Sequence, residues 1–284
     1  MDYLNIFSKN KFYTLFRLII IVIIAIMFIF PLWWMFSTSI KLEEDMFVYP
    51  PKLFPYPFSF KSYVEAWTMQ NFTLYTFNTL KIVLFNIVFG VGASAIVAYG
   101  FARFRFRGKQ VLFLLVLATM IIPDQLLYFT QYFEFNWFGW INTHLPLIVP
   151  SISGKPFYIF LIYQYLRSIP IELDEAAVID GCNKFQVFYK ILLPLLTPVL
   201  TTCIVFQFLF SWNDYLGPLI FLQTRDNWTL SLGVASLYSE QVYSIVNWGH
   251  RMAMATIFSI APLIVFFIAQ KKLIGGIATT GIKG

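Results

Sequence analysis

The stretch LFRLIIIVIIAIMFIFPLWWMF, residues 15–36, decides the fold. Its 22 residues carry one charge, Arg17, and as an α-helix they rise roughly 33 Å, enough to cross the ~30 Å hydrocarbon core of a bilayer. Apolar residues fall on every side, so neither the two-residue period of a half-buried strand nor the amphipathic period of a surface helix is present. Lys9, Lys11 and Arg17 precede or open the run, as they would in a secretory signal. The run is longer than a signal core, however, and no small-residue cleavage site follows, so it reads as a retained first span.

Working outward, the 284 residues are 59% hydrophobic and 12% charged, with a mean hydropathy of +0.71; soluble domains run near 25% charged. That balance excludes a soluble enzyme, a nucleic-acid binder and a disordered scaffold. Windows of about 20 apolar residues place six spans at 15–36, 77–99, 111–130, 145–166, 191–212 and 252–270. The expected class is an all-α membrane protein with six transmembrane helices. Pro150, Gly154, Lys155 and Pro156 interrupt the fourth span, and such breaks are tolerated where neighbouring helices or a cavity satisfy the freed backbone. With the N-terminus inside, Lys9, Lys11, Arg17, Arg103, Arg105, Arg107, Lys109, Arg167, Lys184, Lys190, Lys271, Lys272 and Lys283 are cytoplasmic, 13 of the 20 basic residues. Basic residues accumulate on the inner side, so both termini are expected in the cytoplasm, and much of the net charge of +6 is a topology signal. The organisation is then 1–36 for the N-terminus and first span, 37–76 for a Pro-rich external loop, 77–270 for a five-helix core, and 271–284 for a cytoplasmic tail. A second long external stretch covers 213–251.

Residues 167–190 read RSIPIELDEAAVIDGCNKFQVFYK and hold seven charges in 24 positions. Pro170 presets a helical φ, Ser168 is a candidate cap, and Glu172, Asp174 and Glu175 sit where the positive end of the helix dipole favours acids. A short helix over about 170–180 follows. Gly181 can end it at positive φ, Asn183 can cap a second short helix carrying Phe185, Val187 and Phe188, and Pro194 starts the next span. The predicted product is a cytoplasmic elbow. Ala176 and Ala177 allow another surface to approach closely, and the four acids argue for a protein partner over anionic lipid.

Glu175, Ala176 and Ala177, then three residues, Gly181, then nine, Ile191, one more, and Leu193 and Pro194 resemble in full the EAA signature of binding-protein-dependent ABC importer permeases. Other segments resemble the carbohydrate-uptake branch, and within it the smaller permease subunit of maltose-type importers. They are Asn78 and Thr79, AYGFARFRFRG at 98–108, INTHLPLIVP at 141–150, WNDYLGPLI at 212–220 and GIKG at 281–284. The resemblance implies import of sugars or oligosaccharides across a bacterial cytoplasmic membrane. It also implies a second homologous permease, an ATPase dimer and an external sugar-binding protein as partners. The elbow would be the coupling helix docked in the ATPase, with Glu175, Ala176, Ala177, Gly181, Ile191, Leu193 and Pro194 as its residues. No GxxxxGK[ST] phosphate loop occurs in the chain, so no cofactor is expected on it, and ATP and Mg belong to the partner ATPase. The chain itself would not be an enzyme.

Polar residues within spans are costly and tend to face a bundle interior or a watery path. Asn78, Asn86, Gln125, Gln207, Trp212, Asn213 and Asp214 are the candidates for a substrate path, with helix-to-helix hydrogen bonding as the other role open to Asn86 and Gln207. Tyr99 and Tyr215 offer further rings. Pro123, Pro150, Pro198 and Pro262 mark places where spans bend. His144 and His250, at span ends, read as structural, Cys182 and Cys203 as packing residues, and the run Gly90, Gly92, Ala93, Ser94 as a close-packing face. The competing class is an ion-coupled secondary sugar transporter, which calls for matched halves and intramembrane acids. Asp124 is the one mid-span acid in view.

Overall fold

The first apolar run forms helix α1, Lys11–Ser39, and every residue from 15 to 32 is exposed, as expected of a helix whose surroundings are lipid or another chain. The structure, a computed structural model, describes residues 11–239 and 247–280; Lys9, Glu240, Lys283 and the GIKG tail lie outside them. Helices follow in the order α2 Lys61–Met69, α3 Phe72–Asn86, α4 Gly92–Arg103, α5 Lys109–Thr119, α6 Asp124–Trp137, α7 Leu145–Ile148, α8 Pro156–Ser168, α9 Glu172–Ile179, α10 Lys184–Gln186, α11 Leu193–Leu195, α12 Thr197–Asn213, α13 Leu216–Phe221, α14 Leu230–Ser236 and α15 Trp248–Thr280. No strand occurs among the described residues.

Four helical stretches are long and apolar enough to cross a membrane: Tyr13–Ser39, Phe72–Arg103, Leu145–Ser168 and Trp248–Lys271. The count rises to six if each of two bent pairs is one span. The expected continuous spans at 111–130 and 191–212 are those pairs. α5 and α6 meet at 94°, because Pro123 offers no N–H to continue the first helix and is itself extended, at φ −62° and ψ 129°. Lys184–Leu195 and Thr197–Asn213 meet at 77°, where a π-helical stretch, Val187–Leu192, runs into Pro194 and Pro198. The second span starts earlier than 77 because Asn71 caps α3, its side chain accepting from the Leu74 N–H at 3.2 Å. Within 37–76 the Pro-rich part is irregular, as expected, but α2 and the first turn of α3 are helical.

The chain divides into two compact units, one of residues 1–70 and 237–257, the other of 71–236 and 258–284. In the first, Ser37 Oγ donates to the Leu53 carbonyl at 2.8 Å and the Ser59 N–H to the Ile40 carbonyl at 2.9 Å, folding the Pro-rich segment back on the end of α1. Lys41 is buried with its ammonium 4.2 Å from the Trp34 ring centroid. Burial lowers its pKa, with Asp45 opposing the shift. His250 has the structural role expected: its Nε2 lies 3.0 Å from Glu65 Oε2, and its Nδ1 accepts from the Asn247 N–H.

In the second unit, the core forms where α4 meets α8. Ala95 and Ala98, buried on one face of α4, bring that backbone against Tyr158, Ile159, Ile162 and Leu166. Between apolar helices in lipid such packing, rather than escape from water, is the driving force. Cys203 is buried in this core and Cys182 packs at its edge, in line with a packing role. The break in the fourth span is held from outside its own helix: Gly154 takes φ +78°, and Ser94 Oγ accepts from the Lys155 N–H at 2.9 Å. Of the small-residue run, Gly90 and Ser94 face neighbours at contact distance, whereas a Cβ at Gly92 would meet nothing within 4 Å among the described residues of this chain.

Candidate functional site

The loop with the densest charge folds largely as its residues dictate. α9 carries Glu172, Asp174 and Glu175 in its first turn. Gly181 follows at φ +87°, where Cys182 N–H reaches the Ala177 carbonyl at 2.9 Å and Gly181 N–H the Val178 carbonyl at 3.0 Å, satisfying carbonyls that a helix end leaves open. Asn183 then forms a capping box with Gln186, through Gln186 N–H to Asn183 Oδ1 at 2.9 Å and Asn183 N–H to Gln186 Oε1 at 2.8 Å. One expectation is corrected. Ser168 caps nothing, because its hydroxyl is turned back onto the Tyr165 carbonyl at 2.7 Å, and α9 begins from Ile171 without a side-chain cap.

The two faces of this loop differ. Ala177, Val187, Phe188 and Leu192 enter the core between α4 and α8, so Ala177 is packed against its own chain while Glu175, Ala176 and Gly181 stay exposed. On the outer side Ile179 is 85% and Phe185 73% exposed. Large apolar side chains exposed on a charged loop mark an interaction surface. Val187 and Phe188, predicted on the same short helix as Phe185, are instead buried. Ile191 and Leu193 are half-buried and Pro194 is exposed at the bend.

A second site is a cleft of about 230 Å³ lined by residues of α3, α6, α8, α12 and the break at 149–155. Asn86 Nδ2 and Gln207 Nε2 both donate to Ser211 Oγ, at 3.1 and 2.8 Å. Their carbonyl oxygens, Asn86 Oδ1 and Gln207 Oε1, are buried with no hydrogen-bond partner among the described residues. Asp214 Oδ1 accepts from Gly217 N–H at 3.1 Å, and a Cβ at Gly217 would lie 2.6 Å from Asp214 Oδ2 and displace that carboxylate. Across the cleft Lys155 Nζ is 3.9 Å from Asp124 Oδ2 and 4.7 Å from the Phe210 ring centroid. The lining thus sets the carboxylates of Asp124 and Asp214 beside the Lys155 ammonium and the hydroxyls of Tyr128 and Ser211, so it holds both acceptors and donors for a polar ligand. Among the described residues no group of three His, Cys, Asp or Glu side chains is placed to hold a metal ion.

Of the predicted path residues, Asn86, Gln207 and Asp214 come together in this cleft, and Asn78, Gln125, Trp212 and Asn213 do not line it. Asn78 spends both amide hydrogens on the carbonyls of Asp226 and Trp228, at 2.9 and 3.0 Å, tying α3 to the loop between α13 and α14. Trp212 is buried, with Nε1–H on the Phe258 carbonyl at 3.1 Å. Asn213 bonds back to the Leu209 carbonyl, and Gln125 is exposed. Sequence reasoning missed Tyr128, Ser211 and Lys155 as lining; the charge of Lys155 inside a span-length window was the available signal, read there only as an interruption. His144, near the entrance to α7, donates from Nε2 to the Asn227 carbonyl at 3.0 Å and accepts at Nδ1 from Lys81 at 3.3 Å. Its pKa is lowered by burial, with Lys81 adding to the effect and the Asn227 bond opposing it.

An all-helical chain with several apolar spans, a polar cleft lined by their residues and an exposed charged loop is a multi-pass membrane protein. Residues 87–277 match the family described as binding-protein-dependent transport system inner membrane component, and the chain belongs to that family. It is 29% identical over 260 residues to the diacetylchitobiose uptake system permease protein NgcG of Streptomyces coelicolor, covering 91% of this chain and 85% of that one. It is 31% identical over 266 residues to the melibiose/raffinose/stachyose import permease protein MelC of Bacillus subtilis, covering 92% and 94%. A crystal structure of a bacterial ABC transporter that imports the acidic polysaccharide alginate shares the fold, with a TM-score of 0.79 at 21% identity over 93% of this chain and 97% of that chain. The ion-coupled alternative finds no support in the family match.

Proposed function

We propose that this chain is one of two permease subunits of an ATP-driven importer of sugars or oligosaccharides in the bacterial cytoplasmic membrane. The observation that carries the reading is the EAA spacing seated on a helix whose outer side, Glu175, Ala176 and Ile179, is exposed while its inner side is packed into the core. Relatives named for diacetylchitobiose and for melibiose, raffinose and stachyose support a carbohydrate cargo.

In this reading both termini and α9 are cytoplasmic, and α9 docks in an ATPase dimer that binds ATP and Mg. A homologous permease completes the translocation path, and an external sugar-binding protein delivers the cargo. Glu175 and Ala176 meet the ATPase, Ala177 and Gly181 set the shape of the elbow, and Ile191, Leu193 and Pro194 join it to the fifth span. Closure of the ATPase dimer moves the docked loop as a lever, and the bent third and fifth spans are where the bundle rocks. The cleft at Asn86, Gln207 and Asp214 then offers acceptors to sugar hydroxyls along the path.

Glu175→Lys is the test. The variant is expected to fold and insert as the parent does and to lose transport, because a reversed charge on the exposed first turn opposes docking. A purified complex carrying it that still shows sugar-stimulated ATP hydrolysis at the parent rate would refute the docking assignment.

A further inference from the structure

The stretch 98–108, AYGFARFRFRG, lies outside the cleft, and its side chains converge on the loop from the end of α4, where Tyr99, Arg103 and Phe104 border a hollow shared with Asp174, Glu175 and Ile179. Arg103 Nε donates to Asp174 Oδ2 at 2.9 Å, with both side chains only 9% exposed. The same guanidinium donates from Nη2 to the Ile169 carbonyl at 3.0 Å. Tyr99, one turn earlier on the same side of the helix, donates its hydroxyl to the Lys184 carbonyl at 3.0 Å and packs on Phe188 with ring centroids 4.9 Å apart. One helix end therefore grips the loop on both sides of the Gly181 turn: Ile169 and Asp174 before it, Lys184 and Phe188 after it.

A buried ion pair gains little stability, because desolvating two charges offsets their attraction, and well-packed apolar residues do as well. Here the pairing is also incomplete. Asp174 Oδ1 is buried without a hydrogen-bond partner among the described residues, a cost that a purely stabilising contact would avoid. What a directional, charge-assisted bond supplies and apolar packing does not is registry. A rigid link at this point makes α9 follow α4, whose other face is packed along α8.

We propose that Arg103 and Asp174 form a clamp that fixes α9 to the end of the second span, so that displacement of the docked loop is passed directly to the α4–α8 pair. Arg103 is then a positioning residue for coupling. The proposal rests on reading α9 as the ATPase-docking helix. It adds that the loop drives the bundle through α4 as well as through its own continuation into α12.

The experiment uses the full importer, with its partner permease, ATPase and binding protein, reconstituted in proteoliposomes and supplied with radiolabelled raffinose or diacetylchitobiose. Arg103→Gln is expected to keep its ATPase subunits, because Glu175, Ala176 and Ile179 themselves are unchanged, and to lower ATP-driven uptake at least ten-fold. Hydrogen exchange should quicken at 172–186 and stay unchanged at 197–213. The double variant Arg103→Met with Asp174→Leu separates registry from stability: it is expected to restore the amount of folded complex but not uptake. Uptake at the wild-type rate by Arg103→Gln, or full restoration by the apolar pair, would overturn the clamp and leave a merely stabilising contact. A wild-type complex whose ATP hydrolysis does not respond to its binding protein, with or without sugar, would overturn the importer reading itself.

Discussion

Gly154→Ala is the perturbation whose size the structure defines best. Gly154 sits at φ +78° and ψ 167°, a region that is almost exclusive to glycine and costs another residue about 1–3 kcal/mol. A Cβ there would also stand 3.1 Å from both the backbone nitrogen and Oγ of Ser94 and 3.4 Å from its Cα. Two of those three atoms belong to the backbone of α4 and cannot swing aside, so an overpacking cost of about 1–3 kcal/mol is added. The sum, about 2–6 kcal/mol, is a large share of the roughly 5–15 kcal/mol that holds a domain folded. It falls on the junction where Ser94 Oγ accepts from the Lys155 N–H. The assay is thermal or denaturant unfolding of the full chain in nanodiscs. Gly92→Ala serves as the control on the same helix, since nothing lies within 4 Å of its Cβ and the exchange should be neutral or stabilising by up to about 1 kcal/mol. A Gly154→Ala chain within about 0.5 kcal/mol of wild type, inside the range of an inconsequential surface change, would refute the account of the fourth-span break.

Asn183→Ala removes the side-chain half of the capping box and should cost about 1 kcal/mol, read as faster hydrogen exchange at 184–187 with α12 unchanged. For His144, the lowered pKa favours the neutral ring in the folded chain, so the unfolded chain binds more protons below its ordinary value of about 6.5. Stability from this site is full above that value and is lost as the pH falls through the folded pKa. Unfolding midpoints measured across pH 5–8 should therefore decline on the acid side, and His144→Gln should flatten the decline. Asp214→Ala should raise the sugar concentration needed for half-maximal uptake several-fold, whereas Asn213→Ala, outside the cleft, should leave it unchanged. Equal effects of the two variants on uptake would remove the cleft from the path.

The positions of the spans were legible because a bilayer demands long, nearly uncharged runs, and residues 15–36 meet that demand without ambiguity. The breaks were less so. Pro123 and Pro198 were visible as prolines, but bends of 94° and 77° depend on the backbone on both sides, including a π-helical stretch with no sequence signature. In the loop, Gly181 and Asn183 could be read because each solves a local backbone problem with its own residue type. Ser168 was misread because a serine at a helix boundary can bond backward as readily as forward, and the choice lies in the Tyr165 carbonyl beside it. The cleft was half legible. Polarity within a span picked out Asn86 and Gln207, but Asn78 has the same chemistry and spends it on the carbonyls of Asp226 and Trp228, about 150 residues away in sequence. Which amide is paired across the fold and which keeps an unpaired oxygen is a tertiary fact. The Arg103–Asp174 pair joins residues 71 positions apart and could be seen only once α4 and α9 were placed side by side.

The central claim is that ATP hydrolysed by a partner drives solute through this chain. It is tested most directly by loading proteoliposomes of the purified complex with ATP and Mg, presenting the binding protein with labelled sugar outside, and collapsing all ion gradients with ionophores. Uptake that continues under ionophores and stops when ATP is replaced by a non-hydrolysable analogue is the result the account predicts. Uptake that survives without ATP and vanishes with the ion gradient would contradict it.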